Sequence, residues 1–175
     1  MVKIVMFSDL HYAPEKPINN GSRIERKLME YSEPILDKLT YQINNVIKPD
    51  LVLNLGDLVE DFNDHDKDIV NLNYIWQKFK KIDVPFYSCI GNHDLRSMTS
   101  RNEVERIMEY DHSTFSFDIS GMHVIILGTY VNNDLGTAEG GIFKTQFISN
   151  EDMEWLKEDL RNNKLPTIIC LHFGV

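Results

Sequence analysis

Apolar residues gather into short runs, and four of these runs end at a polar motif. Residues 2–7, 51–55, 85–90 and 167–171 have the length and composition of strands rather than helices. Between them the period changes. Ile35, Leu39, Ile43 and Val46, with Leu36 and Ile47 beside them, recur at helical spacing after Ser32–Pro34, where proline suits a first helical turn. Lys48-Pro49-Asp50 ends that helix. A second helix is expected over residues 66–81, with Ile69, Leu72, Trp76 and Phe79 on one face, and a shorter one near residues 102–110. Ser149-Asn150-Glu151-Asp152 has the form of a capping box and opens a helix bearing Met153, Leu156 and Leu160. Residues 115–119 and 122–127 flank Ser120-Gly121 as a hairpin, so the sheets are expected to be mixed. Residues 12–31, with Pro14, Pro17 and Gly21, and the Asn- and Gly-rich residues 130–148 read as long loops, a class often used for binding.

Strands alternating with helices indicate an α/β fold. In open α/β sheets, ligand chemistry collects just beyond the carboxyl ends of strands. Here Asp9-Leu10-His11 follows the first run and Gly56-Asp57 the second. Gly91-Asn92-His93-Asp94 follows the third, and His172 the fourth. Asp, His and Asn are oxygen and nitrogen donors suited to Mn, Fe or Zn. In an extended segment residues i and i+2 share a side, so Asp9 and His11 are expected to address one metal together. Asp57 has two oxygens with which to bridge two cations, while Asn92 and His172 offer donors to the second. A pair of cations about 3.5–4 Å apart can hold a hydroxide between them and clamp phosphoryl oxygens during an in-line displacement.

A chain of 175 residues is most simply one domain with a real core. Its 42% hydrophobic and 26% charged residues are ordinary for a soluble globular protein. No apolar run approaches the roughly 18 residues of a membrane span, and residues 1–7 lack the form of a secretory signal, so a cytoplasmic protein without membrane partners is expected. A net charge of −9 argues against nucleic acid held on a broad basic surface. An anionic substrate would have to be attracted locally. Cys89 and Cys170 lie inside apolar runs without paired-cysteine spacing and are expected to be buried and reduced.

The four motifs, in order, resemble those of calcineurin-like metallophosphoesterases, and Phe115–Leu127 and Trp155-Leu156 are similar to landmarks of that family. The resemblance implies a single domain over residues 1–175 with a four-layer αββα sandwich of mixed sheets. It implies two divalent or trivalent ions (Mn, Fe or Zn), with Asp9 and His11 on the first, Asp57 bridging, and Asn92 and His172 on the second. It casts His93 as donor to the phosphoryl or leaving oxygen, Glu60 as its orienting carboxylate, and Asp94 as support. The family pattern closes with Gly-His-x-His. The sequence stops at Val175 before any such motif, so a C-terminally incomplete domain with weakened metal binding is expected.

The function implied is hydrolysis of a small-molecule phosphate ester by a metal-bridging hydroxide, phosphodiester or nucleotide-type substrates being favoured. Protein phosphatases of the family carry Asp-Arg-Gly in the motif that begins Gly-Asp, where this chain has Glu60-Asp61-Phe62, and the absent Arg removes a two-pronged phosphate contact. Phosphomonoesterase activity and a non-catalytic metal- or phosphate-binding scaffold are the alternatives; oligomeric state is left open. Arg23, Arg26 and Lys27 could reach a substrate phosphate if residues 12–31 fold over the site. His65, His112 and His123 are expected to be surface or structural residues. The acidic residues 61–68 lack the Gly and Glu of a calcium loop and are expected to form a solvated loop before a helix.

Overall fold

The computed structural model describes residues 2–15, 27–128, 130–131 and 146–173. Three short apolar segments, β1 (Ile4–Phe7), β2 (Leu51–Asn54) and β3 (Phe86–Ser88), form a parallel sheet in that order. Phe7 pairs with Asn54 and Asn54 with Ser88, so the three chains leave the sheet side by side. Beyond them lie β4 (Phe115–Ile119) and β5 (Met122–Ile126), antiparallel across Ser120-Gly121 as the hairpin pattern implies. The two-residue strands β6 (Tyr130–Val131) and β7 (Gln146–Phe147) pair with each other, which brings together the two ends of the long Asn- and Gly-rich segment. A further strand, β8 (Thr167–Cys170), runs parallel to β5, which gives the second sheet the order β4-β5-β8 among the described residues.

Alternation along β2 sorts its side chains between two cores. Val52 packs with Leu36, Ile43, Leu72, Trp76 and Phe79, the faces of α1 (Ser32–Gln42) and α2 (His65–Phe79). Leu51 and Leu53 point the other way, against Val124, Ile126, Cys89 and Cys170 from between the two sheets. Each fully buried side chain of this size contributes roughly 2 kcal/mol. Both cysteines are buried and free. A short helix, α3 (Asn92–Leu95), leads to α4 (Arg101–Met108), whose Val104 and Met108 join the first core. On the far face, α5 (Asn150–Asn162) is capped by the Ser149 hydroxyl, which accepts from Asp152 N at 3.0 Å. Asp159 of α5 accepts from Ser116 at 2.7 Å and meets His123 at 2.6 Å. The order helices, sheet, sheet, helix is the four-layer αββα sandwich expected, with mixed strand directions.

Three local expectations change. Ile35 and Val46 are exposed, and the buried face of α1 is Leu36, Leu39 and Ile43. For Val46 the cause lies at residues 43–47, which form a π turn in which Lys48 N donates to Ile43 O at 2.9 Å. A π turn is wider than an α turn, so it rotates Val46 off the stripe that a 3.6-residue period assigns it. Leu160 is likewise exposed on α5. The acidic stretch before α2 is not a solvated loop throughout. Asp64 caps the helix, but Asp68 and Asp61 are buried, and Asp68 accepts from Phe62 N at 2.9 Å and from the Ser97 hydroxyl. His123 is structural, held between Asp118 and Asp159 at 2.6 Å each, while His65 and His112 lie outside the cores. Among the described residues, no helix is long and apolar enough to cross a membrane.

Candidate metal centre

Asp9 and His11 leave β1, Asp57 leaves the central strand β2, Asn92 follows β3, and His172 leaves β8 of the second sheet. The expected ligands therefore come from four strand ends, and all five meet. Their meeting depends on strained backbone. Asp9, His11 and Asp57 have φ of 57°, 47° and 55°, and Gly56 has φ of 102°. A positive φ is unfavourable for most side chains, though Asp and His tolerate it better than most. Asp9 and His11 thus reach one point through left-handed turns and not, as the i, i+2 expectation had it, through an extended strand. Asp9 N donates to Gly56 O and His11 N to Asp57 O, each at 3.0 Å, so the loop after β1 runs alongside the loop after β2.

Asp57 stands at the middle, almost wholly buried. Its Oδ2 lies 3.6 Å from His11 Nε2, and its Oδ1 lies 3.3 Å from His172 Nε2. Each imidazole has its other nitrogen occupied. His172 Nδ1 donates to Leu55 O at 2.8 Å, and His11 Nδ1 donates to Glu60 Oε2 at 2.8 Å. With Nδ1 as the donor, each Nε2 carries a lone pair aimed at acceptor oxygens. For His11 these are Asp57 Oδ2 and Asp9 Oδ1 at 3.5 Å; for His172 they are Asp57 Oδ1 and Asn92 Oδ1 at 3.1 Å. In that neutral tautomer lone pairs face one another, an arrangement that a bound cation, or in its absence a proton on the imidazole, relieves. This happens twice, once on each oxygen of Asp57, so the donor set fits two ions bridged by that carboxylate. Histidine ligands held by a backbone carbonyl or a carboxylate through the far nitrogen are typical of metal sites.

Electrostatics agree. Burial opposes ionisation of Asp57, but the hydrogen bond and charge of His172 and the charge of His93 outweigh it and lower its pKa. Burial also opposes protonation of His172, yet Asp57 outweighs it and pushes the pKa up to about 9. A proton there does part of a cation's work in the metal-free protein. Ion and proton then compete. A His pKa raised above its ordinary 6.5 gives stability that is complete below pH 6.5 and lost as pH rises through about 9. We expect metal-free protein to lose stability across that window, while Mn(II) binding tightens and releases a proton. Titration calorimetry in two buffers of different ionisation enthalpy measures the release, and His172→Gln should abolish it.

Two further carboxylates hold the centre together. Asp94 is fully buried; its Oδ1 accepts from Leu58 N at 2.8 Å and Val59 N at 3.1 Å, and its Oδ2 from Gly91 N at 2.8 Å. It ties the loop bearing Asp57 to the loop bearing Asn92. Asp94→Asn puts an amide donor among three backbone donors. We expect a loss of about 3 kcal/mol in stability and a 10–100-fold weaker Mn(II) affinity, read by denaturant unfolding and metal titration.

Glu60 does not orient His93. It accepts from His11 and, at 2.6 Å, from Lys27 Nζ, whereas its approach to His93 is 3.7 Å. Burial opposes its ionisation, but those two hydrogen bonds and the charges of His93 and Lys27 bring its pKa down to about 2. The carboxylate on His93 is Asp61, 2.6 Å from Nδ1 and itself paired with Arg96 Nη1 at 2.8 Å. The turn after Asp57 presents the two neighbouring acids to different histidines. Lys27 thus reaches the first ligand's support, while Arg23 and Arg26 lie outside the described residues. Asp61 and Arg96 were missed from sequence. Arg96 follows Asn92 and His93 by four and three residues, the spacing of one helix face, and that signal was available. His93 Nε2 points back to Asp57 Oδ2 at 4.0 Å, at the edge of the centre.

Comparison with known proteins bears on this geometry. The family model described as calcineurin-like phosphoesterase matches residues 2–175. The chain is 24% identical over 146 residues to a probable cyclic nucleotide phosphodiesterase of Psychrobacter sp. (strain PRwf-1), covering 77% of this chain and 38% of that protein. It is 28% identical over 165 residues to a probable glycerophosphodiester phosphodiesterase of Arcobacter nitrofigilis, covering 93% of this chain and 52% of the other. The chain therefore spans about half or less of the length of these curated relatives. In fold it is similar to a dimetal phosphatase from Danio rerio, with a TM-score of 0.68 at 15% identity, over 99% of this chain and 70% of that one.

Proposed function

The chain belongs to the calcineurin-like phosphoesterase family, and from that premise we propose that it hydrolyses a small phosphate ester at the Asp57 centre, a phosphodiester or nucleotide-type molecule by preference. One observation carries the reading: each oxygen of the buried Asp57 faces a different, pre-set imidazole Nε2. Two cations in those positions would supply the positive charge that polarises a phosphoryl group and activates the attacking water. The chain's own residues do the rest. Asp57 spans the two positions and fixes their separation. Leu55 O and Glu60 hold His172 and His11 in the tautomers that leave Nε2 free to ligate. Asp61 holds the His93 ring with Nε2 at the rim, where a leaving oxygen would pass and a proton could be exchanged.

Two features favour a diester. Both curated relatives carry phosphodiesterase names, and no Arg follows Gly56-Asp57 in the manner of protein phosphatases. The test is hydrolysis of bis(aryl) phosphate and aryl phosphate by Mn(II)-loaded protein, with Asp57→Asn beside it. Metal-dependent turnover faster on the diester supports the proposal. Faster turnover on the monoester moves the chain to the phosphomonoesterases, and Mn(II) binding without turnover of either makes it a scaffold.

A further inference from the structure

A single carboxylate oxygen aims two side chains at the same place. Asp61 Oδ2 meets His93 Nδ1 at 2.6 Å and accepts from Arg96 Nη1 at 2.8 Å. The far nitrogens of the two side chains, His93 Nε2 and Arg96 Nη2, are thereby brought within 3.4 Å of each other. The Asp61 side chain is 1% exposed and the Arg96 side chain 22%, so the anchor is hidden and the side chain it holds is partly open to solvent. His93 Nε2 is in turn 4.0 Å from the bridging oxygen Asp57 Oδ2. The guanidinium therefore stands on the rim of the centre, one ring-width from the carboxylate that both ions would share.

This geometry bears on what the second motif lacks. Glu60-Asp61-Phe62 replaces the segment in which an Arg would be expected to grip phosphate. We propose that Arg96, one helical turn after Asn92, is the phosphate-binding residue of this site, and that Asp61 is the positioning residue that presents it. Resting on the reading of the centre as a phosphoesterase site, the assignment specifies how the substrate anion is gripped. A guanidinium gives a charge-assisted, planar contact to phosphoryl oxygens that Lys reproduces only as a point charge. Its adjacency to His93 Nε2 places the grip beside the atom nearest the leaving oxygen. Because the chain as a whole carries a charge of −9, such a local cation matters more than the global field.

The test separates phosphate binding from metal binding and from turnover. Mn(II) affinity, inorganic phosphate affinity and the kinetics of bis(aryl) phosphate and aryl phosphate hydrolysis are measured on wild type, Arg96→Gln, Arg96→Lys and Asp61→Asn. Inorganic phosphate is followed by paramagnetic broadening of its 31P resonance on the Mn(II)-loaded proteins. Arg96→Gln should bind phosphate about tenfold or more weakly, with KM raised more than kcat is lowered and Mn(II) affinity unchanged. Arg96→Lys should recover part of the loss. Asp61→Asn should show the same direction with a smaller change. Phosphate binding by Arg96→Gln within twofold of wild type overturns the proposal, as does a loss that Lys does not relieve at all. If wild type binds phosphate through Arg96 yet hydrolyses nothing, the phosphoesterase reading falls and the Arg96 site stands. If Mn(II)-loaded wild type binds no phosphate, both fall.

Discussion

Asp57→Asn is expected to lower metal-dependent phosphate ester hydrolysis on the order of 10³-fold while leaving the fold in place. The side chain keeps its shape but loses its charge and one acceptor oxygen. That charge lies between two imidazole Nε2 atoms at 3.3 and 3.6 Å, so the loss is felt by both halves of the centre at once. Metal-ion contributions to phosphoryl transfer amount to several kcal/mol, and each 1.36 kcal/mol is tenfold in rate. The fold should survive because Asp94, not Asp57, holds the Leu58, Val59 and Gly91 amides. Asp57 Oδ1 does accept from His93 N at 3.0 Å, a bond that the amide oxygen of Asn can keep if the new NH2 takes the place of Oδ2 and faces His11. Metal stoichiometry should drop from two ions to one or none, and the far-ultraviolet circular dichroism should be unchanged. A variant that still binds two Mn(II) ions with native affinity would remove Asp57 from the bridging position.

What was legible in the sequence was the part governed by strand ends. A parallel sheet brings successive carboxyl ends to one edge, so Asp9, His11, Asp57 and Asn92 could be grouped from their places after apolar runs, and His172 joins them from the end of β8 in the facing sheet. The core face of α2 was legible for a similar reason, since a regular helix keeps its period. Illegible were the places where the chain leaves regular geometry. The π turn at Ile43–Ile47 shifts phase without a compositional mark, which is why Val46 was misassigned. Left-handed residues at Asp9, His11 and Asp57 carry side chains in directions that no strand alternation gives. With the chain turning after Asp57, adjacent acids part company: Glu60 goes to His11 and Asp61 to His93. Composition cannot tell those two apart. Nor does a run of acids reveal that Asp68 is buried with its carboxylate capping Phe62 N while Asp64 and Asp66 face water.

The glycines of the motifs make a second large effect testable without touching any ligand. Gly91 has an ordinary φ of −92°, so its need for glycine is steric rather than conformational. A Cβ there would lie 2.1 Å from Asp57 Oδ1, 2.2 Å from Asp57 N and 2.9 Å from Asp57 Cα. Two of those three atoms belong to backbone, which cannot step aside as a flexible side chain would. Gly91→Ala must therefore push the Gly56-Asp57 turn away from the start of α3, breaking the register between the bridging carboxylate and Asn92. Inserting even a methyl into packed structure costs typically 1–3 kcal/mol and sometimes more; here the upper end is expected. A misplacement of about 1 Å in a catalytic constellation costs about 10²-fold in rate, so hydrolysis should fall at least that far, with weaker Mn(II) binding. Gly121 is the control. It sits at φ 82° in the β4–β5 hairpin with nothing within 4 Å of an added Cβ. Gly121→Ala pays only the left-handed backbone cost of roughly 1–2 kcal/mol and, far from the centre, should keep full Mn(II) affinity and turnover. Thermal unfolding with metal titration of both variants reads the contrast. If Gly91→Ala retains native metal binding, the close packing of the third motif against Asp57 is not what sets the two ion positions.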